Sequence, residues 1–116
     1  MTISDVQVIL HGTYVCGEDQ KDREIHSACG SDMMSDVLAY VKDQAVLLTG
    51  LCNPQVIRTA EMIDAYCIVF IRGKKPTEEM IEMVKERGIT ILCTDHRMFN
   101  ACGLLYSNGL RGGVPY

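Results

Sequence analysis

Cys67-Ile68-Val69-Phe70-Ile71-Arg72-Gly73-Lys74-Lys75-Pro76-Thr77-Glu78-Glu79-Met80-Ile81 decides the fold, because the most apolar run in the chain ends in a basic, glycine-containing junction and passes directly into a helical pattern. Five apolar residues in a row read as a strand covered on both faces, the central strand of a sheet. Thr77 is a good N-cap, and Glu78 and Glu79 place acids at the positive end of the helix dipole. Met80, Ile81 and Val84 then recur at the spacing of an inward face, and Lys85 and Arg87 close the last turn before Gly88. Strand, junction and helix together make one unit of an α/β fold.

Working outward, the unit repeats. Runs begin near Arg23, Ala45, Cys67 and Thr90, and end at Cys29-Gly30-Ser31-Asp32, Thr49-Gly50-Leu51-Cys52-Asn53, Arg72-Gly73-Lys74-Lys75 and Cys93-Thr94-Asp95. Strands alternating with helices imply parallel pairing, so the four junctions should share one edge of one sheet. That edge is where open α/β folds bind ligands.

The individual units carry their own signals. Arg23–Cys29 is half polar and fits a sheet edge; Ser31 or Asp32 then caps a helix whose inner face is Met34, Val37, Leu38 and Val41. Ala45–Thr49 is a buried strand, and Asn53 with Pro54 is a strong helix start. The stripe of that helix is Val56, Ile57, Ala60 and Ile63, with Arg58 and Glu61 one turn apart on the other side. Ile89–Cys93 is the last strand, and Thr94 or Asp95 opens a final helix to about Tyr106. Upstream, Ser4 and Gln7 form a capping box with Ile3 stapled to Val8, Gly12 takes the left-handed closing position, and Thr13–Cys16 is a brief strand. Residues 1–108 read as a single domain, and residues 109–116 as a flexible tail with no period.

Composition narrows the functional classes. A chain of 116 residues, 47% hydrophobic, supports one compact core. Its net charge of −4, with no long basic run, argues against a nucleic-acid surface. No stretch reaches the roughly 20 apolar residues that span a bilayer, and the N-terminus lacks a signal-peptide pattern, so the expected location is cytoplasmic. Six cysteines without a CxxC pair read as free thiols rather than a disulfide framework.

From Gly17 to about Tyr106 the chain resembles the DRTGG domain family. The likeness is carried by Gly17-Glu18-Asp19, Asp22-Arg23-Glu24-Ile25, Val46-Leu47-Leu48-Thr49-Gly50, Ile68-Val69-Phe70-Ile71-Arg72-Gly73, Lys85-Glu86-Arg87-Gly88-Ile89, the Thr94 junction and Phe99. Family members occur alone, beside CBS domains in regulated inorganic pyrophosphatases, and in some phosphotransacetylases. The family signature is altered: Leu51-Cys52-Asn53-Pro54 stands where the family has Asp-Arg-Thr, and Arg72-Gly73-Lys74 where it has Thr-Gly-Gly. The resemblance implies a three-layer α/β/α sandwich with a mostly parallel sheet of four to five strands, usually dimeric, with a regulatory or ligand-sensing role. The chain is also similar to the N-terminal domain of HPr kinase, yet no G-x-x-x-x-G-K-[ST] loop exists to hold nucleotide phosphates.

The expected site is an anion site at the strand C-terminal edge, between Gly50 and Gly73. Backbone amides at the Asn53 and Thr77 helix starts join the cations of the third junction. Arg72 and Lys74 carry the charge; Thr49, Asn53 and Thr94 give neutral hydrogen bonds; Ser31, Gly50 and Gly73 complete the lining. The expectation is a non-enzymatic homodimer binding a small anionic ligand, nucleotides included, with no cofactor, no metal and no catalytic residues. One alternative is an interaction module docking on a partner enzyme without a ligand of its own. A third reading gathers Cys29, Cys52 and Cys93, with His96, into a metal or redox cluster, although their spacing matches no ligand pattern. His11 and His26 read as capping or strand-surface residues, and Asp32 as the one acid to watch, with helix capping its simplest role.

Overall fold

The computed structural model describes residues 1–40 and 45–112 of the chain, with the backbone alone at Tyr40. Its elements are α1 (Ile3–Leu10), β1 (Thr13–Cys16), a 3-10 turn (Glu18–Gln20), β2 (Ser27–Gly30), α2 (Met34–Tyr40), β3 (Ala45–Thr49), α3 (Pro54–Met62), β4 (Cys67–Phe70), α4 (Glu78–Lys85), β5 (Thr90–Cys93) and α5 (Met98–Ser107). The sheet order is β1-β5-β4-β3-β2. β2 to β5 run parallel, with Val46 opposite Cys67 and Cys67 opposite Thr90, and β1 runs antiparallel along β5 with an irregularity between Tyr14 and Cys16. The run from Cys67 is the central strand, and the four junctions stand on one edge.

The crossovers all step the same way along the sheet, which puts α2, α3 and α4 on a single face. There Met34, Val37, Val56, Ile57, Ala60, Met80 and Val84 pack on Leu47, Ile68, Phe70 and Ile91. Alternate strand residues Val46, Leu48, Val69 and Leu92 point the other way and would be bare without α1 and α5. Ile3, Val6 and Leu10 of α1 and Ala101 and Leu105 of α5 cover them. A parallel sheet needs both faces covered, and three layers satisfy that need.

Several local expectations are corrected. Thr2, not Ser4, caps α1: its hydroxyl accepts from the Asp5 N–H while Asp5 accepts from the Thr2 N–H. His11 (φ 52°), not Gly12, takes the left-handed closing position. β2 starts at Ser27 rather than Arg23, because the preceding residues are tied to α1: the Arg23 carbonyl accepts from the Ile3 N–H, and Glu24 bridges Thr2. Of the expected inner face of α2, Met34 and Val37 are buried, Leu38 is 42% exposed, and Val41 lies outside the described residues. Arg58 and Glu61 do stand exposed on the outer side of α3, where Glu61 pairs with Arg87 of the turn after α4. Neither Thr94 nor Asp95 opens α5, whose N-cap is Arg97. Thr77 and Asn53 cap α4 and α3 as expected.

The segment after α5, read as the start of a flexible tail, is tied to the sheet as far as it is described. Leu110 is buried, and the Arg111 carbonyl accepts from the Ala28 N–H on the open side of β2. Among the described residues no helix is long and apolar enough to cross a membrane.

Candidate functional site

The junctions after β2 and β3 are joined through Asp32. One carboxylate oxygen accepts from the Gly50 N–H at 2.7 Å and from the Thr49 hydroxyl at 3.2 Å. Asp32 therefore does not cap α2; Ser31 holds that turn, its hydroxyl accepting from the Met33 N–H. Among the described residues, nothing donates to the second Asp32 oxygen, and the residue is exposed. Thr49 is fully buried, and its oxygen also accepts from the Leu51 N–H.

After β4 the chain turns through two left-handed residues, Arg72 (φ 57°) and Gly73 (φ 69°). The conformation costs a side-chain-bearing residue about 1–2 kcal/mol. Two bonds to the fourth junction hold it: Arg72 N–H to the His96 carbonyl and Gly73 N–H to the Thr94 carbonyl, both 2.9 Å. These amides are consequently spent within the fold rather than offered to a ligand. The turn lays the Arg72 guanidinium across Gly50, where a Cβ would sit 2.9 Å from Cζ and 3.1 Å from Nε. Only glycine leaves room beneath it.

Arg72 there lines an open groove of about 450 Å³, walled by Gly30, Ser31, Asp32, Ile71, Arg97, Met98 and Phe99. Arg97 is exposed, and its side chain makes no hydrogen bond across the start of α5. Among the described residues, neither Arg72 nor Arg97 joins an ion pair. Two guanidiniums facing one concavity suit an anion, since the planar fork matches carboxylate and phosphate oxygens.

Of the eight expected residues, Ser31 and Arg72 line this groove, with Gly50 beneath Arg72. The other five lie elsewhere. Thr49 is committed to Asp32, and the Asn53 side chain to the Gln55 N–H. The Thr94 hydroxyl, 3% exposed, donates to the Leu10 carbonyl at 2.7 Å and accepts from the His96 N–H. Gly73 and Lys75 turn toward a second cavity of about 470 Å³, which His11, Thr13, Cys93 and Asp95 also line. Lys74 is exposed and lines neither cavity. The basic junction thus splits, and the groove lies on the α5 side of the sheet edge, away from the Asn53 and Thr77 helix starts. Arg97, Met98 and Phe99 were not among the expected residues, and Asp32 was singled out only as an acid to watch, with helix capping its simplest role.

The thiols do not form an activated cluster. Burial pushes all six cysteine pKa values up, Cys93 to about 11, the opposite of what a reactive or metal-binding thiolate requires. The Cys52 thiol donates to the Lys75 carbonyl. Among the described residues, no three His, Cys, Asp or Glu side chains gather as metal ligands would.

A family described as the DRTGG domain matches residues 5–107. Among solved structures, the chain is similar to the crystal structure of the CBS and DRTGG domains of the regulatory region of Clostridium perfringens pyrophosphatase, complexed with its activator diadenosine tetraphosphate. The TM-score is 0.72 at 17% identity, covering 90% of this chain and 45% of that one. At that identity the likeness establishes the fold. No curated protein matches the chain.

Proposed function

The chain belongs to the DRTGG domain family, and from that premise we propose that it is a non-enzymatic regulatory module that senses a small anionic ligand in the Arg72–Arg97 groove. The observation that carries this reading is the pair of guanidiniums, without ion-pair partners among the described residues, facing one groove at the C-terminal edge of the sheet. The groove offers binding groups but no nucleophile beside a base: the Ser31 hydroxyl is bonded to the Met33 backbone and Asp32 to Gly50. Its product is occupancy, which a partner enzyme would read. The related pyrophosphatase region, a regulatory region that binds an activator, supports this reading.

The module would work as a homodimer, with Val8 of α1 and Tyr106 of α5 as exposed apolar side chains for the contact. Sedimentation of the purified chain tests that part. For the ligand, thermal unfolding with phosphate-bearing anions is the test, since a ligand at a hundred times its Kd stabilises the native state by about 2.7 kcal/mol. The expected result is a concentration-dependent rise in Tm that the Arg72→Ala/Arg97→Ala variant lacks. No rise with any anion would leave the docking module as the surviving reading.

A further inference from the structure

We propose that the groove takes a nucleoside phosphate, with the base on Phe99, the ribose hydroxyls on Asp32 and the phosphates on Arg72 and Arg97; this rests on the anion-binding reading above. Phe99 is 87% exposed, although phenylalanine is among the residues most often buried. It stands in the first turn of α5, on the groove wall beside half-buried Met98. An open aromatic face next to cationic groups is what a base requires, because every base has a face that stacks and stacking tolerates base identity.

Asp32 separates this ligand from a bare anion. One of its oxygens holds Gly50 and Thr49, and among the described residues the other has no donor. A carboxylate accepts only, so it repels inorganic phosphate and welcomes the two hydroxyls of a ribose. Two guanidiniums and one carboxylate leave the groove one positive charge, enough for phosphate when other contacts share the binding. The volume of about 450 Å³ falls within the roughly 300–1,000 Å³ of small-molecule sites. A bare anion would use neither Phe99 nor the free Asp32 oxygen.

Calorimetric titration of the full chain with ADP, GDP, adenosine and inorganic pyrophosphate tests the assignment. At least one nucleoside diphosphate should bind tenfold or more tighter than pyrophosphate and adenosine, and its 2′,3′-dideoxy form should bind more weakly. Phe99→Ala should weaken the nucleotide roughly tenfold or more, leave pyrophosphate unchanged, and keep the ligand-free Tm because the ring is exposed. Phe99→Tyr, which keeps the ring, should retain affinity. Pyrophosphate binding as tightly as both nucleotides, or nucleotide affinity unaffected by Phe99→Ala, overturns the nucleoside assignment while leaving the anion reading intact. Equal binding of the dideoxy form overturns the role given to Asp32. If none of these phosphates binds at millimolar concentration, the anion reading falls and this inference with it.

Discussion

Replacing Gly50 with alanine separates the placement of Arg72 from the stability of the fold. Gly50 is buried, and its φ is not in the left-handed region, so alanine suits its backbone. The three atoms nearest to the added methyl all belong to the Arg72 guanidinium, with Cζ at 2.9 Å and Nε at 3.1 Å. That group is the far end of a flexible, exposed side chain, so it swings away rather than breaking the sheet. Gly→Ala at a permissive position stabilises by about 0.4–1 kcal/mol through the unfolded chain, which offsets the rearrangement. The net change in Tm should stay within about 5 °C. Binding should suffer far more. Losing a hydrogen bond to a charged group costs about 1.5–3 kcal/mol, or roughly 10- to 150-fold in Kd. Calorimetry with the tightest-binding phosphate, together with thermal unfolding, reads both quantities. In an Arg72→Ala background the Gly50 change should add nothing, because both remove the same contact. Gly50→Ala with wild-type affinity would mean that Arg72 does not hold the ligand from above Gly50, and so would losses that add.

Thr94→Val should lower Tm by several degrees, because it strips a buried hydroxyl from the Leu10 carbonyl and the His96 N–H, a loss of about 1–3 kcal/mol. Its anion affinity should stay within about twofold of wild type if the hydroxyl is structural; a tenfold loss would return Thr94 to the site. Gly17→Ala should destabilise more strongly than either variant, since Gly17 sits at φ 79° and a Cβ would lie 2.7 Å from the Thr90 Cα; a wild-type Tm would contradict this. Alkaline pH should also destabilise the protein. Burial raises the Cys93 pKa to about 11, whereas an unfolded thiol ionises near 8.5. The unfolded state therefore releases its proton first, so this stability is complete below about pH 8.5 and declines as pH rises toward 11. Tm measured from pH 7 to 11 should fall less steeply in Cys93→Ala than in wild type; parallel declines would contradict the assignment.

The fold was legible because its signals are local and repeated. Ala45–Thr49 and Cys67–Ile71 are apolar throughout, Asn53-Pro54 and Thr77 are strong helix starts, and alternation dictated parallel pairing. The ends of elements were less legible where distant contacts decide them. Residues 23–25 look like strand but serve α1, and Thr2 outcompetes Ser4 because Asp5 can answer it. The site was half legible. The strand edge and Arg72 follow from sequence order, but the direction of a side chain at a left-handed residue does not. Capping α5 at Arg97 instead of Thr94 or Asp95 moves Arg97 and Phe99 from the body of a helix to its mouth. Thr94 shows the converse: a polar residue at a strand edge reads as a ligand contact, and only the folded structure reveals that its hydroxyl is bonded across the fold to Leu10.

Amide chemical shifts during titration with ADP and GDP show directly whether nucleotide occupies the Arg72–Arg97 groove. The account predicts that the amides of Ser31, Gly50, Arg72, Phe99 and their neighbours move together and saturate, while those of Thr13 and Ile81 in the second cavity stay still. Shifts confined to the second cavity, or none at millimolar nucleotide, would contradict it.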